Sequence, residues 1–288
     1  MKDKLNFPIV DLRELLIPWE KCFSMKLGPI DDDSIEVMKS SRYDFAPVLD
    51  RQSPEVVLGL ISRERLEKLH SHNLPLAADD EGITRPEVQN RIRMDALLEV
   101  VQKKQANIVV DEMAEGKKAL GLFTRADLNR HPFRAEIYFS LAHLESELAK
   151  LIRRSYDDPW KWLELLSDDQ QARIIGYWEV SKKRGVDNGP VAAAMLTELL
   201  KVAVKAEPLR QTLGYDSATA LKKAIGRIPN LRNQIMHPVR PLILNKDSIS
   251  RLSEDLEIVF NMLEHLRKAN RELRGLSLSG SKDLRQSG

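Results

Sequence analysis

The chain has a single cysteine, Cys22, which excludes an intrachain disulfide and any cysteine-clustered zinc site. A reducing, cytoplasmic compartment is the expectation that follows. Long apolar runs are also missing. No stretch approaches the ~20 residues of a membrane-spanning helix, so no membrane partner is expected. Residues Met1 to Asn6 lead into a charged amphipathic stretch without an apolar segment or a small-residue cleavage site, and no secretory signal is expected. An excess of either sign of charge is missing as well: 45 Lys and Arg face 43 Asp and Glu, a net +2. That balance is too small to announce a nucleic-acid partner by itself. Metal-ligand clusters are lacking, and His70-Ser71-His72 has the wrong spacing for two ligands on one helix face, so no metal is expected.

What is present fits packed cores: 42% hydrophobic and 31% charged residues over 288 positions, enough chain for two domains. Residues 1–23 read as a leader, with Leu12, Leu15 and Leu16 at helical spacing and Pro18 ending the pattern. Short β runs then alternate with short helices, twice. The first unit predicts a helix from Asp33-Ser34, strands at 45–50 and 56–61 around a turn at Ser53-Pro54, and a helix through Leu66 and Leu69. The second predicts a helix over 95–102, strands at 107–111 and 119–123 around a turn at Glu115-Gly116, and a helix from Ala126. This helix, strand, strand, helix order is an internal repeat, with units of about 24–75 and 76–131. After Pro132 only helical periodicity remains. Ile137, Leu141, Leu144, Leu148, Leu151 and Ile152 mark a long amphipathic helix. Further helices are expected near 159–183, 190–206, 216–228 and 246–273, a bundle of about five. Residues 132–274 form the helical domain, and 275–288, rich in Ser, Gly and charge, a flexible tail. The expected fold class is an α+β N-terminal half followed by an all-α bundle.

At Ala46-Pro47-Val48-Leu49-Asp50, Gly59-Leu60-Ile61-Ser62 and Gly121-Leu122-Phe123-Thr124-Arg125-Ala126-Asp127-Leu128, the repeat resembles a tandem pair of CBS domains. The resemblance spans about residues 24 to 130. It implies an adenine nucleotide (AMP, ADP or ATP) as regulatory ligand, with its base in an apolar slot and its ribose near the last helix of a repeat. Thr124 and Asp127 would then contact ribose or phosphate. A carboxylate accepting ribose hydroxyls beside a hydroxyl and backbone N–H groups suits that chemistry. The same two residues also form a capping-box pattern, and both uses can coexist. In the first repeat the matching residues are Ser62 and Arg65, and Arg65 in place of a carboxylate implies a more phosphorylated ligand.

In the helical half, Pro229-Asn230 signals a helix start and Pro238 biases His237 away from helical geometry. Residues 231–237 therefore predict a short helix. Asn233 and His237 are an i, i+4 pair, whereas Arg232 lies about 140° around the axis from His237. Asn233 is thus placed to steady the imidazole and Arg232 to reach into the same groove from the side. The segment Leu231-Arg232-Asn233-Gln234-Ile235-Met236-His237 resembles the Arg-polar-x-x-x-His signature of HEPN domains, helical bundles that often dimerise and cut RNA without metal. The resemblance implies a composite site from two subunits, with His237 as general acid or base and Arg232 neutralising the phosphate. Glu145 or Glu147 is a candidate to orient Arg232. Eight basic residues against two acidic ones between Lys201 and Arg240, a net +6, suit either a phosphate-bearing partner or a solvated face. Trp160, Trp162, Tyr177 and Trp178 fall at helical spacings, which favours core or interface packing over base stacking.

Together these features predict a homodimeric, metal-independent endoribonuclease acting on RNA, with no catalytic cofactor and with an adenine nucleotide as regulator, serving in stress response or phage defence. Two alternatives stand beside it. One is a non-catalytic nucleotide-binding regulator that uses the helical half for dimerisation or docking. The other is the toxin half of a pair with an antitoxin partner.

Overall fold

The computed structural model describes residues 5–53, 56–113 and 116–283. The turns expected at Ser53-Pro54 and Glu115-Gly116 fall partly outside them. Two compact units emerge, residues 7–134 with 241–250, and residues 135–240 with 251–283.

The first unit contains β1 (Ile9–Asp11), β2 (Ile17–Pro18), β3 (Met25–Lys26), α1 (Asp32–Ser40), β4 (Phe45–Leu49), β5 (Val57–Ser62) and α2 (Arg63–Ser71). It continues with β6 (Glu87–Gln89), β7 (Arg91–Arg93), α3 (Met94–Lys103), β8 (Ala106–Met113) and β9 (Gly116–Thr124). The repeat is visible in the sheets. β3 runs parallel to β4, which pairs antiparallel with β5; β6 runs parallel to β8, which pairs antiparallel with β9. Strand alternation sorts the side chains. Ala46, Val48 and Ile61 turn toward Met38, Leu66 and Leu69 of α1 and α2, whereas Val57 and Leu60 meet Ala106, Ile108, Val110 and Leu122 of the second repeat. The two sheets thus close over a shared apolar layer, each fully buried large side chain contributing roughly 1.5–3 kcal/mol. Asp31, whose carboxylate accepts from Ser34 N–H at 2.6 Å, starts α1.

Gly59 and Gly121 occupy matching places in the two repeats, and each admits a neighbouring backbone. A Cβ on Gly59 would sit 2.7 Å from the Thr84 carbonyl oxygen, and one on Gly121 would run into the Ile17 carbonyl oxygen and lie 2.8 Å from Leu16 Cδ1. The Ile17 backbone belongs to what the sequence predicts as a helical leader, and here the structure differs. Residues 7–22 form β1, a 3-10 turn at Leu12–Glu14, β2 and a second turn at Trp19–Lys21. β1 pairs with β7 and β2 with β9. Leu12 and Leu15 are fully buried, and burial in this unit outweighs the helical spacing. The 76–93 connector likewise supplies β6 and β7. Asn129 ties the 241–250 segment to the unit, its side-chain oxygen accepting from Leu242 N–H and Ile243 N–H at 2.6 and 2.8 Å.

From His131 onward the structure is helical: α4 (His131–Ser155), α5 (Asp168–Lys183), α6 (Leu196–Lys205), α7 (Glu207–Thr212), α8 (Ala218–Ile225), α9 (Ile228–Met236) and α10 (Lys246–Asp283). The apolar stripe of α4 from Ile137 to Ile152 is buried, in a unit whose core also includes Trp162, Ile174, Leu199, Val202, Leu256 and Leu263. The helix expected over 159–183 is split. A 3-10 turn at Lys161–Leu165 precedes α5, because Ser167 and Gln170 form a capping box that starts a new helix. α7 was not expected; Pro208 occupies its first turn, where a missing N–H costs nothing. Helix also replaces the tail expected from Gly275, as far as Asp283. Glycine costs only ~1 kcal/mol relative to alanine in a helix, and no proline intervenes. Residues 284–288 lie outside the described ones.

Candidate functional site

Between the two repeats of the first unit lies a cleft of about 260 Å³. β4 and its approach supply Arg42, Tyr43, Asp44 and Phe45; the β2 to β3 segment supplies Lys21, Cys22 and Phe23; β9 and the turn after it supply Leu122, Thr124 and Arg125. The rings of Phe23 and Tyr43 are near parallel, 10° apart with centroids at 6.3 Å. Lys21, Arg42 and Asp44 are exposed. Among the described residues the Asp44 carboxylate makes only long contacts, to Arg63 and Gln105 at 3.4 Å each, and so remains open to a better donor. Arg125, in contrast, is spent on the Val101 carbonyl oxygen at 3.1–3.2 Å.

Arg42 carries a feature of its own. α1 ends in a Schellman motif: Tyr43 N–H donates to Met38 O and Arg42 N–H to Lys39 O, at 2.9 and 3.1 Å. The residue at the left-handed position of that motif is Arg42, at φ 56°, where glycine is the usual occupant.

Thr124 lies in the cleft wall, as expected. Asp127 does not. It is 4% exposed, and one carboxylate oxygen accepts from both Thr124 N–H and Thr124 Oγ1 at 2.7 Å. The other pairs with Arg130 at 2.9 Å. The cap and Arg130 together thus engage both oxygens of the carboxylate expected at a ribose, and Asp44 is the carboxylate that lines the cleft. The first-repeat pair is also committed. Ser62 Oγ accepts from Arg65 N–H at 3.2 Å to cap α2. Arg65 itself grips Asp80 with two bonds of 3.0 Å and reaches Glu81 at 3.5 Å. The Arg65 guanidinium holds the Asp80 carboxyl below the ordinary carboxylate range, with a further hydrogen bond from Gly82 N–H. The more phosphorylated ligand expected from Arg65 thus meets an arginine already paired.

In the helical unit, α9 starts three residues earlier than expected because Pro229 falls inside its first turn. Arg232 is half-buried in the wall of a cavity of about 320 Å³, together with Tyr138, Glu145 and Leu196. Burial pushes the Glu145 carboxyl up from its usual value, against the pull of the Arg232 charge and a hydrogen bond from Leu196 N–H. Of the two candidate orienters, Glu145 therefore faces Arg232. Glu147 is taken by Lys150 at 2.6 Å and Asn270 at 2.7 Å. His237 closes α9 as its C-cap, its N–H donating to Asn233 O at 3.1 Å. Both Asn233 and His237 are exposed. The expected side-chain bond between them is not formed among the described residues; Asn233 holds the backbone of His237 rather than its ring. Neither residue lines the Arg232 cavity.

No group of three or more His, Cys, Asp or Glu among the described residues is arranged to hold a metal ion. No described helix is long and apolar enough to cross a membrane.

No family model matches the chain. Among curated proteins none matches either. Solved structures do show likenesses. A hemolysin-like protein containing a CBS domain from Oenococcus oeni is 13% identical, with 44% of this chain and 92% of that one covered at a TM-score of 0.36. The CBS domain of a bacterial CNNM/CorC family Mg2+ transporter in complex with ATP is 21% identical, over 41% of this chain and 84% of that one, at 0.34. CBSX2 in complex with AMP is 18% identical, over 45% of this chain and 98% of that one, at 0.35.

Proposed function

We propose that the first unit binds an adenine nucleotide in the cleft beside Tyr43 and that the protein is a nucleotide-responsive regulator. One observation carries this: aromatic rings, an open carboxylate and two exposed cations converge on a single concavity of about 260 Å³, near the lower end of small-molecule sites. Phe23, Tyr43 and Phe45 give the base its ring faces. Asp44 accepts from the ribose hydroxyls, and Lys21 and Arg42 meet the phosphates. Calorimetric titration with AMP, ADP and ATP tests it, beside Asp44→Asn. Saturable heat that weakens in the variant is expected; no heat with any of the three, or equal affinity in Asp44→Asn, would overturn it.

A second activity, RNA cleavage by the helical unit, is favoured by Arg232 and Glu145 lining one cavity, where the Arg232 charge acts on the Glu145 carboxyl, while His237 stands open to solvent five residues on. In this reading two copies of the chain face each other. His237 takes the proton of a ribose 2′-hydroxyl, whose oxygen attacks the adjacent phosphorus. The 5′-oxygen leaves with a proton from the second imidazole, giving a cyclic phosphate and a 5′-hydroxyl. Arg232 offsets the charge gathering on the phosphate. Nucleotide control then requires different affinities for the active and inactive states. Purified protein incubated with RNA, with and without AMP or ATP, should cleave it, whereas Arg232→Ala and His237→Ala should not. Equal cleavage by all three proteins would remove the catalytic assignment.

A further inference from the structure

A second cavity of the helical unit, about 380 Å³, adjoins the one at Arg232, and the two share Ala192 and Ala194 as common wall. Those alanines belong to the segment around the short turn Pro190–Ala193. The far cavity has an unusual lining. Tyr177 is 56% exposed, and the Arg173 guanidinium lies 5.6 Å from its ring centre. One terminal nitrogen of Arg173 pairs with Glu198. The other is buried and donates to nothing among the described residues. Trp178 beside it is already engaged, under Lys182 at 4.7 Å, edge-on to Trp160 and bonded to Asp187 at 3.0 Å. Trp178 is thus packed, whereas Tyr177 leaves its ring open in this chain. An open ring next to a guanidinium whose side chain is 30% exposed suits a planar group bearing an anion.

We propose that this groove, from Arg232 past Ala192 to Tyr177, seats a single strand of RNA, one phosphate against Arg232, another against Arg173, and a base stacked on Tyr177. The proposal rests on the reading of Arg232 as a phosphate-binding residue and adds the substrate's path to it. Because only two cations serve the strand, salt dependence should be shallow. The log–log slope for single strands is ~0.7 per phosphate contact, so about −1.4 is expected here.

The test uses the full chain carrying His237→Ala, so that RNA persists, and a fluorescein-labelled oligouridylate, which keeps adenine out of the other unit's cleft. Adding Tyr177→Ala should weaken binding roughly 5- to 150-fold, while Tyr177→Phe, which retains the ring, should bind as the parent does. Equal affinity in Tyr177→Ala overturns the proposal, as does failure of the parent to bind. A drop in sedimentation mass in Tyr177→Ala with RNA affinity unchanged also overturns it and makes the groove a contact between copies. Failure of the catalytic reading looks different: Tyr177-dependent binding by a wild-type protein that leaves RNA intact retains the groove and removes the cleavage.

Discussion

Arg42→Gly separates folding from binding at one position. Arg42 holds φ 56° at the end of α1, a conformation that costs an L side chain roughly 1–2 kcal/mol. Glycine removes that strain but gives back about 0.5–1 kcal/mol in unfolded-chain entropy. The net effect is a gain of about 0.5 kcal/mol in the ligand-free protein. With nucleotide the balance inverts. Loss of an exposed cation from a phosphate weakens affinity about fivefold, or ~1 kcal/mol. At saturating ligand, stabilisation grows as RT ln(1 + [L]/Kd), so the variant forgoes that ~1 kcal/mol and becomes the less stable protein by about 0.5 kcal/mol. Urea denaturation of both proteins, with and without excess AMP or ATP, measures the crossing. A variant that is less stable without ligand, or that keeps its lead with ligand present, would refute the reasoning: the first outcome denies the strain, the second denies the phosphate contact.

Gly121→Ala places a methyl against the Ile17 carbonyl, forcing β2 off β9. A loss of about 1–3 kcal/mol is expected, with faster amide exchange in the 15–22 segment; unchanged exchange there would count against the close approach. Asp80→Asn should lower the urea midpoint at neutral pH by breaking the double bond to Arg65. Because the folded carboxyl sits below its unfolded value of ~3.9, the wild-type advantage is present above that pH and fades as pH falls through the folded value. A gap that persists at the acid end would show that the ion pair is not its source.

The repeat was legible in the sequence because β4, β5, β8 and β9 are long enough to show as β runs and alternate with short helices in the same order twice. β1, β2, β6 and β7 were not. Each has three residues or fewer and pairs with a strand remote in sequence, Ile9 with Arg93 for example, so no local pattern marks them. The cleft was half legible. Thr124 belongs to a motif and lines the cleft, whereas Asp44 has no motif, and its place at the cleft follows only from how the repeats close on each other. Thr-x-x-Asp spells a capping box and a ligand contact alike; in the fold one Asp127 oxygen serves the cap and the other meets Arg130. In the helical unit the Arg232 and His237 pair stood out, and the cavity that Arg232 lines and His237 does not was not visible. Tyr177 sits at helical spacing with its neighbours, and such spacing cannot say which of two adjacent rings meets solvent.

The central claim is the place of the nucleotide, and photolabelling with 8-azido-ATP followed by peptide mapping tests it most directly. The label should fall on peptides containing Phe23 or the Tyr43 to Phe45 segment and be displaced by ATP. Labelling confined to the helices between residues 135 and 240, or none that ATP displaces, would contradict the account.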